Sequence, residues 1–181
     1  HLPAGILMAD VLVKLGNTAQ AAKRLEALCQ SQPELVEPRY QLAEALEALR
    51  DAEGAISLLK GVAGDHPKEG LRALRRLRAL YVEAGRWEEA MDVQRRLGTR
   101  FGPDLNQAER AMGLALSYQM GMIKVEADQF REAAQIFQQI LKEDAAFVPA
   151  YLSLGRCMVL QDQEAQGIEI WLEGFRATGE G

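Results

Sequence analysis

The chain has 181 residues and a formal net charge of −5, with 48% hydrophobic, 26% charged and only 6% aromatic residues. A composition rich in Ala, Leu and charged residues is typical of helices, and the scarcity of aromatic residues argues against a β-sandwich or β-barrel core. The acidic balance argues against an overall nucleic-acid binder, and no apolar run approaches the roughly 18 residues that a membrane-spanning helix needs.

The start of the chain, His1-Leu2-Pro3, has neither an initiator Met nor a signal-peptide pattern. We therefore expect a piece of a longer protein, so the lack of an anchor here says nothing about the parent. The two cysteines, Cys29 and Cys157, are isolated and far apart, which predicts two free thiols buried in helices. Sparse use of cysteine is typical of a reducing compartment such as the cytoplasm.

Similar residues recur at a fixed interval of 34 positions in the first half of the chain. Five pairs keep this interval: Met8 and Leu42, Ala9 and Ala43, Ala21 and Ala55, Leu25 and Leu59, and Pro33 and Pro67. So many coincident intervals indicate a structural repeat.

An interval of 34 residues resembles that of the tetratricopeptide repeat, and this resemblance implies units of two antiparallel helices, the first over residues 2–35 and the second over residues 36–69. A small residue such as Ala9 lets the two paired helices approach, whereas a bulky one such as Leu25 fills the space toward the next unit. A proline such as Pro33 closes the unit, because the residue before a proline is disfavoured in a helix.

Three further units are expected in the second half of the chain. They cover residues 70–103, with Leu77, Tyr81 and Ala90; residues 104–147, with Gly121, Ala133 and Phe137; and residues 148–181, with Tyr151, Gly155, Gly167 and Trp171. The third unit departs from the pattern at Arg78, where a small residue normally lets the paired helices approach.

The fourth unit is longer than the others. Ala90 and Ala133 are 43 residues apart, nine more than one interval. The Gly-Pro break at residues 102–103 followed by Asp104 is a helix start signal, since Pro cannot continue a helix and Asp caps one. We therefore expect one long helix of roughly 20 residues within residues 105–127, as the lengthened first helix of this unit.

The interval of 34 with these small, bulky and proline positions resembles the tetratricopeptide repeat. The segment Tyr-Val-Glu-Ala-Gly-Arg-Trp-Glu-Glu-Ala at residues 81–90 is similar to the turn and second-helix start of that family. The resemblance covers nearly the whole chain and implies an all-α, right-handed superhelical solenoid of about five repeats in a single domain. It further implies a concave face, lined by the first helix of each pair, that binds a protein partner.

Mapping the family's inward positions onto this chain gives a groove of mixed character. The expected partner-binding residues are Tyr40, Glu44, Glu47, Arg72, Arg75, Tyr118, Met122 and Arg156. Such a groove fits a helix or an extended segment with apolar anchors and flanking charge. Tyr40 and Tyr118 are the best anchor candidates, because aromatic residues dominate interface hot spots. The alternative is that both complete the packing between repeats.

The third repeat is unusually basic. Residues 68–100 contain nine Lys/Arg and five Asp/Glu, a net charge of +4 against −9 for the remainder of the chain. Arg72, Arg75, Arg76 and Arg78 crowd one helix, and such clusters suit acidic partners, phosphates or an anionic membrane surface. The alternative is a solvated surface paired with neighbouring glutamates. We do not expect nucleic acid as the partner, because the patch is small and lacks interleaved aromatic residues.

Nothing in the sequence indicates catalysis. The two histidines are His1 and His66, and neither a Ser-His-acid set, a phosphate-binding glycine loop nor a metal-ligand spacing is present. We therefore expect a protein that is not an enzyme and that needs no cofactor or metal.

Residues 73–97 and 109–171 resemble the lipopolysaccharide assembly protein B family. The shared features are the aromatic-Trp turn of residues 81–90, the lengthened helix with its Glu-Arg-Ala start at residues 109–111, and the Gly-Ile-Glu-Ile-Trp ending at residues 167–171. The resemblance implies a bacterial adaptor that links lipopolysaccharide synthesis to a membrane protease. Its cytoplasmic repeat domain would be held at the inner membrane by an N-terminal anchor.

A bacterial repeat scaffold for another assembly, such as a secretion, pilus or organelle complex, is the alternative function. In either case, exposed terminal repeats without polar faces would allow the chain to associate with itself.

Overall fold

The computed structural model describes residues 4–65, 69–102, 106–177 and 179, and within these ranges the chain forms ten α-helices and no strand. The helices are α1 (Ala4–Lys14), α2 (Thr18–Ser31), α3 (Glu37–Ala48), α4 (Ala52–Asp65), α5 (Gly70–Glu83), α6 (Trp87–Phe101), α7 (Gln107–Glu126), α8 (Phe130–Glu143), α9 (Val148–Val159) and α10 (Glu164–Ala177). The prediction of an all-helical fold is confirmed. The residues named above that lie outside the described ranges are His1, Leu2, Pro3, His66, Pro67, Lys68, Pro103, Asp104 and Leu105.

The chain divides into two compact units, residues 1–103 with α1 to α6 and residues 104–181 with α7 to α10. Within each unit every helix packs on the next one along the chain. In addition α1 contacts α3, and α7 contacts α9, so that the first helices of neighbouring pairs lie side by side.

A left-handed backbone conformation marks the turn between the two helices of every pair. The residues with positive φ at these turns are Gly16, Arg50, Gly85, Asp128 and Asp162. Glycine adopts this conformation without a steric penalty, whereas an arginine or aspartate there is less common. The recurrence of one backbone feature at all five turns identifies five helix-turn-helix repeats.

Small and bulky residues 16 positions apart join the two helices of a pair. A Cβ atom placed on Gly121 of α7 would lie 2.5 Å from Cε1 of Phe137 in α8, so the absence of a side chain creates the space that the ring occupies. Gly155 faces Trp171 in the same way. The Trp171 side chain is 38% exposed, and its Nε1 donates to the Leu152 carbonyl over 3.1 Å.

The third repeat replaces this small–bulky pair with a polar pair. Arg78 of α5 is only 7% exposed and donates from Nη1 to Oε1 of Gln94, which lies 16 residues further on in α6. The guanidinium therefore has a hydrogen-bond acceptor where the other repeats have apolar packing, which lowers the cost of its burial.

The long helix α7 spans 20 residues, against 11 to 14 for the other first helices. Its N-cap is Asn106, whose side chain accepts a hydrogen bond from the backbone N–H of Glu109 over 3.0 Å. The cap that the sequence indicated, Asp104, lies outside the described residues. Among the helices described, none is both long enough and apolar enough to cross a membrane.

Candidate functional site

Five of the eight predicted partner-binding residues line one open cavity of about 310 Å³ between α3 and α5. The residues around this cavity, which we call the α3–α5 cavity, are Tyr40, Ala43, Glu44, Glu47, Leu59, Arg72, Arg75, Arg76 and Ala79. Tyr40, Ala43 and Leu59 are buried and form an apolar floor, while the glutamates and arginines form a charged rim. The first unit therefore brings the predicted residues of the second and third repeats together.

Tyr40 belongs to the floor of the α3–α5 cavity and is only 4% exposed. Its hydroxyl donates to the carbonyl of Glu69 over 2.6 Å, and the guanidinium of Arg72 lies 4.2 Å from the centre of its ring. Burial raises the pKa of the phenol above its ordinary value. The ring therefore offers a partner little of its own surface, and Tyr40 mainly completes the packing of α3 on α5.

Ion pairs across the two helices form the rim. Arg72 of α5 lies 3.1 Å from a carboxylate oxygen of Glu37 and 3.7 Å from one of Glu44, both on α3. Arg76 forms a two-pronged contact with Glu47, whose hydrogen bonds raise the pKa of the guanidinium. Partly exposed pairs of this kind contribute about 0–1 kcal/mol each, so they orient the rim more than they stabilise the fold.

These pairs change the interpretation of the arginine cluster on α5. Arg72 and Arg76 face glutamates of the preceding repeat, and Arg78 is not on the surface, because it is buried between α5 and α6. Arg75 lines the α3–α5 cavity and is half-buried. The rim therefore carries both signs of charge side by side, and it is less basic than a count of arginines along the sequence indicates.

The other three predicted residues lie in the second unit. Tyr118 of α7 is half-buried, with its ring centre 5.5 Å from that of Phe137, and its hydroxyl is 3.0 Å from the Ser153 hydroxyl of α9. Met122, one turn further along α7, is also half-buried, and its sulfur lies 3.8 Å from the same hydroxyl. Arg156 of α9 is exposed. Ser153 thus links the two first helices and was not among the predicted residues.

Sequence reasoning also omitted several residues of the α3–α5 cavity from the predicted site. Ala43 and Leu59 were assigned to helix packing, and they form part of the floor because they lie at the junction of α3, α4 and α5. Arg76 lies four residues after Arg72, which places both on the same side of α5, and this spacing was the available signal. In the described residues no group of three or more His, Cys, Asp or Glu side chains is arranged to hold a metal ion.

Two sequence profiles described as tetratricopeptide repeat match the chain, one over residues 12–78 and the other over residues 114–145. Together they cover more than half of its length. No curated protein sequence matches significantly.

Solved structures with the same arrangement of helices include several of MamA. MamA AMB-1 is 15% identical, with a TM-score of 0.54, and the match covers 98% of this chain and 90% of that one. MamA from Desulfovibrio magneticus RS-1 is 17% identical, with a TM-score of 0.51, and the match covers 98% and 96%. At this level of identity the likeness shows the fold alone. The profiles and the recurring turns therefore show that the chain is built of tetratricopeptide repeats.

Proposed function

We propose that this chain is a scaffold that binds a segment of a partner protein against the α3–α5 cavity. The observation that carries the proposal is the pairing of an apolar floor with a rim of both charges on adjacent first helices. A volume of about 310 Å³ is at the lower end for a small-molecule pocket. An open cavity of this size accommodates one or two apolar side chains of a longer segment, which the rim flanks with charge.

Ala79 offers the sharpest test, because it lines the α3–α5 cavity and is only half-buried. Replacing it with Trp fills the space without removing any hydrogen bond described above. Ala52→Trp is the matched control, since Ala52 is exposed at the start of α4 and does not line this cavity. Tyr40→Ala is a poorer choice, because it removes a buried ring and its hydrogen bond.

The experiment is affinity capture from extracts of the source organism, with mass spectrometry of the bound proteins and circular dichroism to check that both variants are folded. We expect a partner that wild type and Ala52→Trp recover and that Ala79→Trp loses by at least tenfold. Equal recovery by folded Ala79→Trp and wild type would mean that the cavity is not the binding surface. Chemical cross-linking of the complex would then locate the surface that is used.

We further propose regulation of lipopolysaccharide biosynthesis as the pathway in which this scaffold acts. Its support is the sequence resemblance to the lipopolysaccharide assembly protein B family in the turn of residues 81–90, the start of α7 and residues 167–171. This resemblance also underlies the proposal of a cytoplasmic domain near the inner membrane. Recovery of a membrane protease or a lipid A biosynthetic enzyme in the capture experiment would support this pathway, whereas components of a secretion, pilus or organelle assembly would support the alternative scaffold.

A further inference from the structure

A second, smaller cavity of about 110 Å³ lies between α1 and α3, beside the α3–α5 cavity. The residues around this α1–α3 cavity are Ala9, Asp10, Val13, Thr18, Leu25, Gln41, Glu44, Ala45 and Ala48. Glu44 lines both cavities, so the two are direct neighbours within the first unit. A segment that is bound against the α3–α5 cavity can therefore also reach the α1–α3 cavity.

The linings of the two cavities differ in charge. The α3–α5 cavity has two glutamates and three arginines. The α1–α3 cavity has the carboxylates of Asp10 and Glu44 and no basic side chain among its lining residues, all of which belong to the described part of the chain. Asp10 lies 2.6 Å from the ammonium of Lys14, and Glu44 lies 3.7 Å from Arg72, which is beyond hydrogen-bond distance. Both pairs are exposed and therefore weak, so an incoming cation can compete with them.

Gln41 adds an acceptor that has no donor. It lines the α1–α3 cavity, its amide oxygen is buried, and this oxygen has no hydrogen-bond partner within the described residues. Buried polar atoms are nearly always paired, and an unpaired one is unfavourable. A hydrogen-bond donor carried by a partner would satisfy this oxygen. The carboxylates and the amide oxygen thus ask for the same kind of group, a positively charged donor.

The size and the floor of the α1–α3 cavity suit one long side chain. Its volume lies well below that of pockets for small molecules, which begin at about 300 Å³. Ala9, Leu25 and Ala45 are buried and give it an apolar floor. The methylene stem of a lysine or arginine packs along such a surface, while the charged end stays with the polar groups.

We propose that the partner segment carries a basic side chain that enters the α1–α3 cavity, next to the apolar side chain that enters the α3–α5 cavity. This inference rests on the proposed function and adds the charge of the partner and the direction in which it lies. Packed helices are about 8–10 Å apart, and an extended chain advances about 3.3–3.6 Å per residue. The basic and the apolar residue should therefore be about two to four positions apart, with the basic residue toward α1.

Selection of phage-displayed random peptides of about a dozen residues on the purified chain provides the test. Asp10→Asn/Glu44→Gln removes the two carboxylates of the α1–α3 cavity with little change of shape. Glu26→Gln/Glu34→Gln is the matched control, because it removes two charges at exposed positions that line neither cavity. Ala79→Trp blocks the α3–α5 cavity, and circular dichroism checks that every variant is folded.

We expect the enriched peptides to share a basic residue two to four positions from a large apolar one. The Kd of a synthetic peptide of this kind, measured by fluorescence polarisation, should rise about tenfold or more for Asp10→Asn/Glu44→Gln and stay unchanged for the control. Replacing the basic residue of the peptide with norleucine should abolish the difference between wild type and Asp10→Asn/Glu44→Gln.

Two kinds of failure are distinguishable. Enriched peptides that lack a basic residue but are lost with Ala79→Trp would overturn this inference and leave the proposed function standing, and so would equal affinity for wild type and Asp10→Asn/Glu44→Gln. No enrichment, or enrichment that Ala79→Trp leaves unchanged, would overturn the proposed function and this inference with it.

Discussion

The contact between Gly121 and Phe137 predicts that a single methyl group destabilises the second unit. In Gly121→Ala the added carbon would lie 2.5, 2.7 and 3.1 Å from three ring carbons of Phe137, where carbon atoms normally keep about 3.5–4.0 Å. Phe137 is 0% exposed and its ring centre lies 5.5 Å from that of Tyr118, so the ring can relieve the contact only by shifting against its neighbours. Overpacking of this kind costs about 1–3 kcal/mol, while alanine gains about 0.8–1 kcal/mol over glycine in a helix.

For Gly121→Ala we expect the free energy of unfolding to fall by roughly 1 kcal/mol. Comparison with Gly61→Ala separates the cost of overpacking from the gain in helix propensity. Gly61 lies inside α4 with nothing within 4 Å of an added Cβ, so its replacement should stabilise by up to about 1 kcal/mol. Urea unfolding monitored by circular dichroism measures the stability of both variants, since a change of 1 kcal/mol corresponds to a midpoint shift of about 0.3–1 M. Equal shifts in the two variants would refute the packing argument.

A second substitution tests the same contact from its other side. Phe137→Leu removes the ring carbons that collide with the new methyl group, although alone it leaves a cavity. The double variant with Gly121→Ala should therefore lose less stability than the sum of the two single variants, by about 1 kcal/mol. Strict additivity would show that the two side chains do not compete for the same space.

Three further predictions concern individual buried groups. Tyr40→Phe should lower the free energy of unfolding by about 0.5–1.5 kcal/mol, because it removes the hydrogen bond to the Glu69 carbonyl; an unchanged urea midpoint would contradict this. Arg78→Ala and Gln94→Leu should each destabilise the fold, because each removes one partner of a hydrogen bond. The double variant restores a small–bulky pair and should be at least about 1 kcal/mol more stable than the sum of the two single effects, as measured by a double-mutant cycle. Cys157 is 0% exposed and burial raises the pKa of its thiol, so at pH 8 it should carry less thiolate than a free thiol and react with a thiol reagent only as the protein unfolds; fast labelling of the folded protein would contradict this.

The helical repeat was predictable because its physical requirements recur along the sequence. The interval of 34 residues and the small–bulky spacing of 16 are both visible in the printed chain, and the helices of the structure follow them. The break of this spacing at Arg78 was also visible. The acceptor that satisfies Arg78 could also have been found in the sequence, because Gln94 replaces the usual bulky residue 16 positions further on.

The details of the α3–α5 cavity were less predictable, because they depend on contacts between repeats. The hydroxyl of Tyr40 is bonded to a carbonyl 29 residues away, and Arg76 is paired with a glutamate 29 residues before it. Inward-facing positions can be assigned from repeat register, but the register does not tell which polar groups satisfy one another. This is why the sequence left open whether Tyr40 anchors a partner or completes the packing between repeats, whereas the structure shows its ring buried in the floor of the cavity.

The polar pair of the third repeat has a consequence for exchanging repeats between proteins. Arg78 and Gln94 lie in the two helices of one repeat, so a graft of residues 70–102 into another solenoid would carry the buried cation together with its acceptor. The pair of Arg76 with Glu47 instead joins two repeats, and the same graft would leave Arg76 dependent on whatever its new neighbour supplies. Helix α5 therefore carries Arg78, whose hydrogen-bond partner belongs to the same repeat, and Arg76, whose partner has to be supplied by the neighbouring repeat of each new protein.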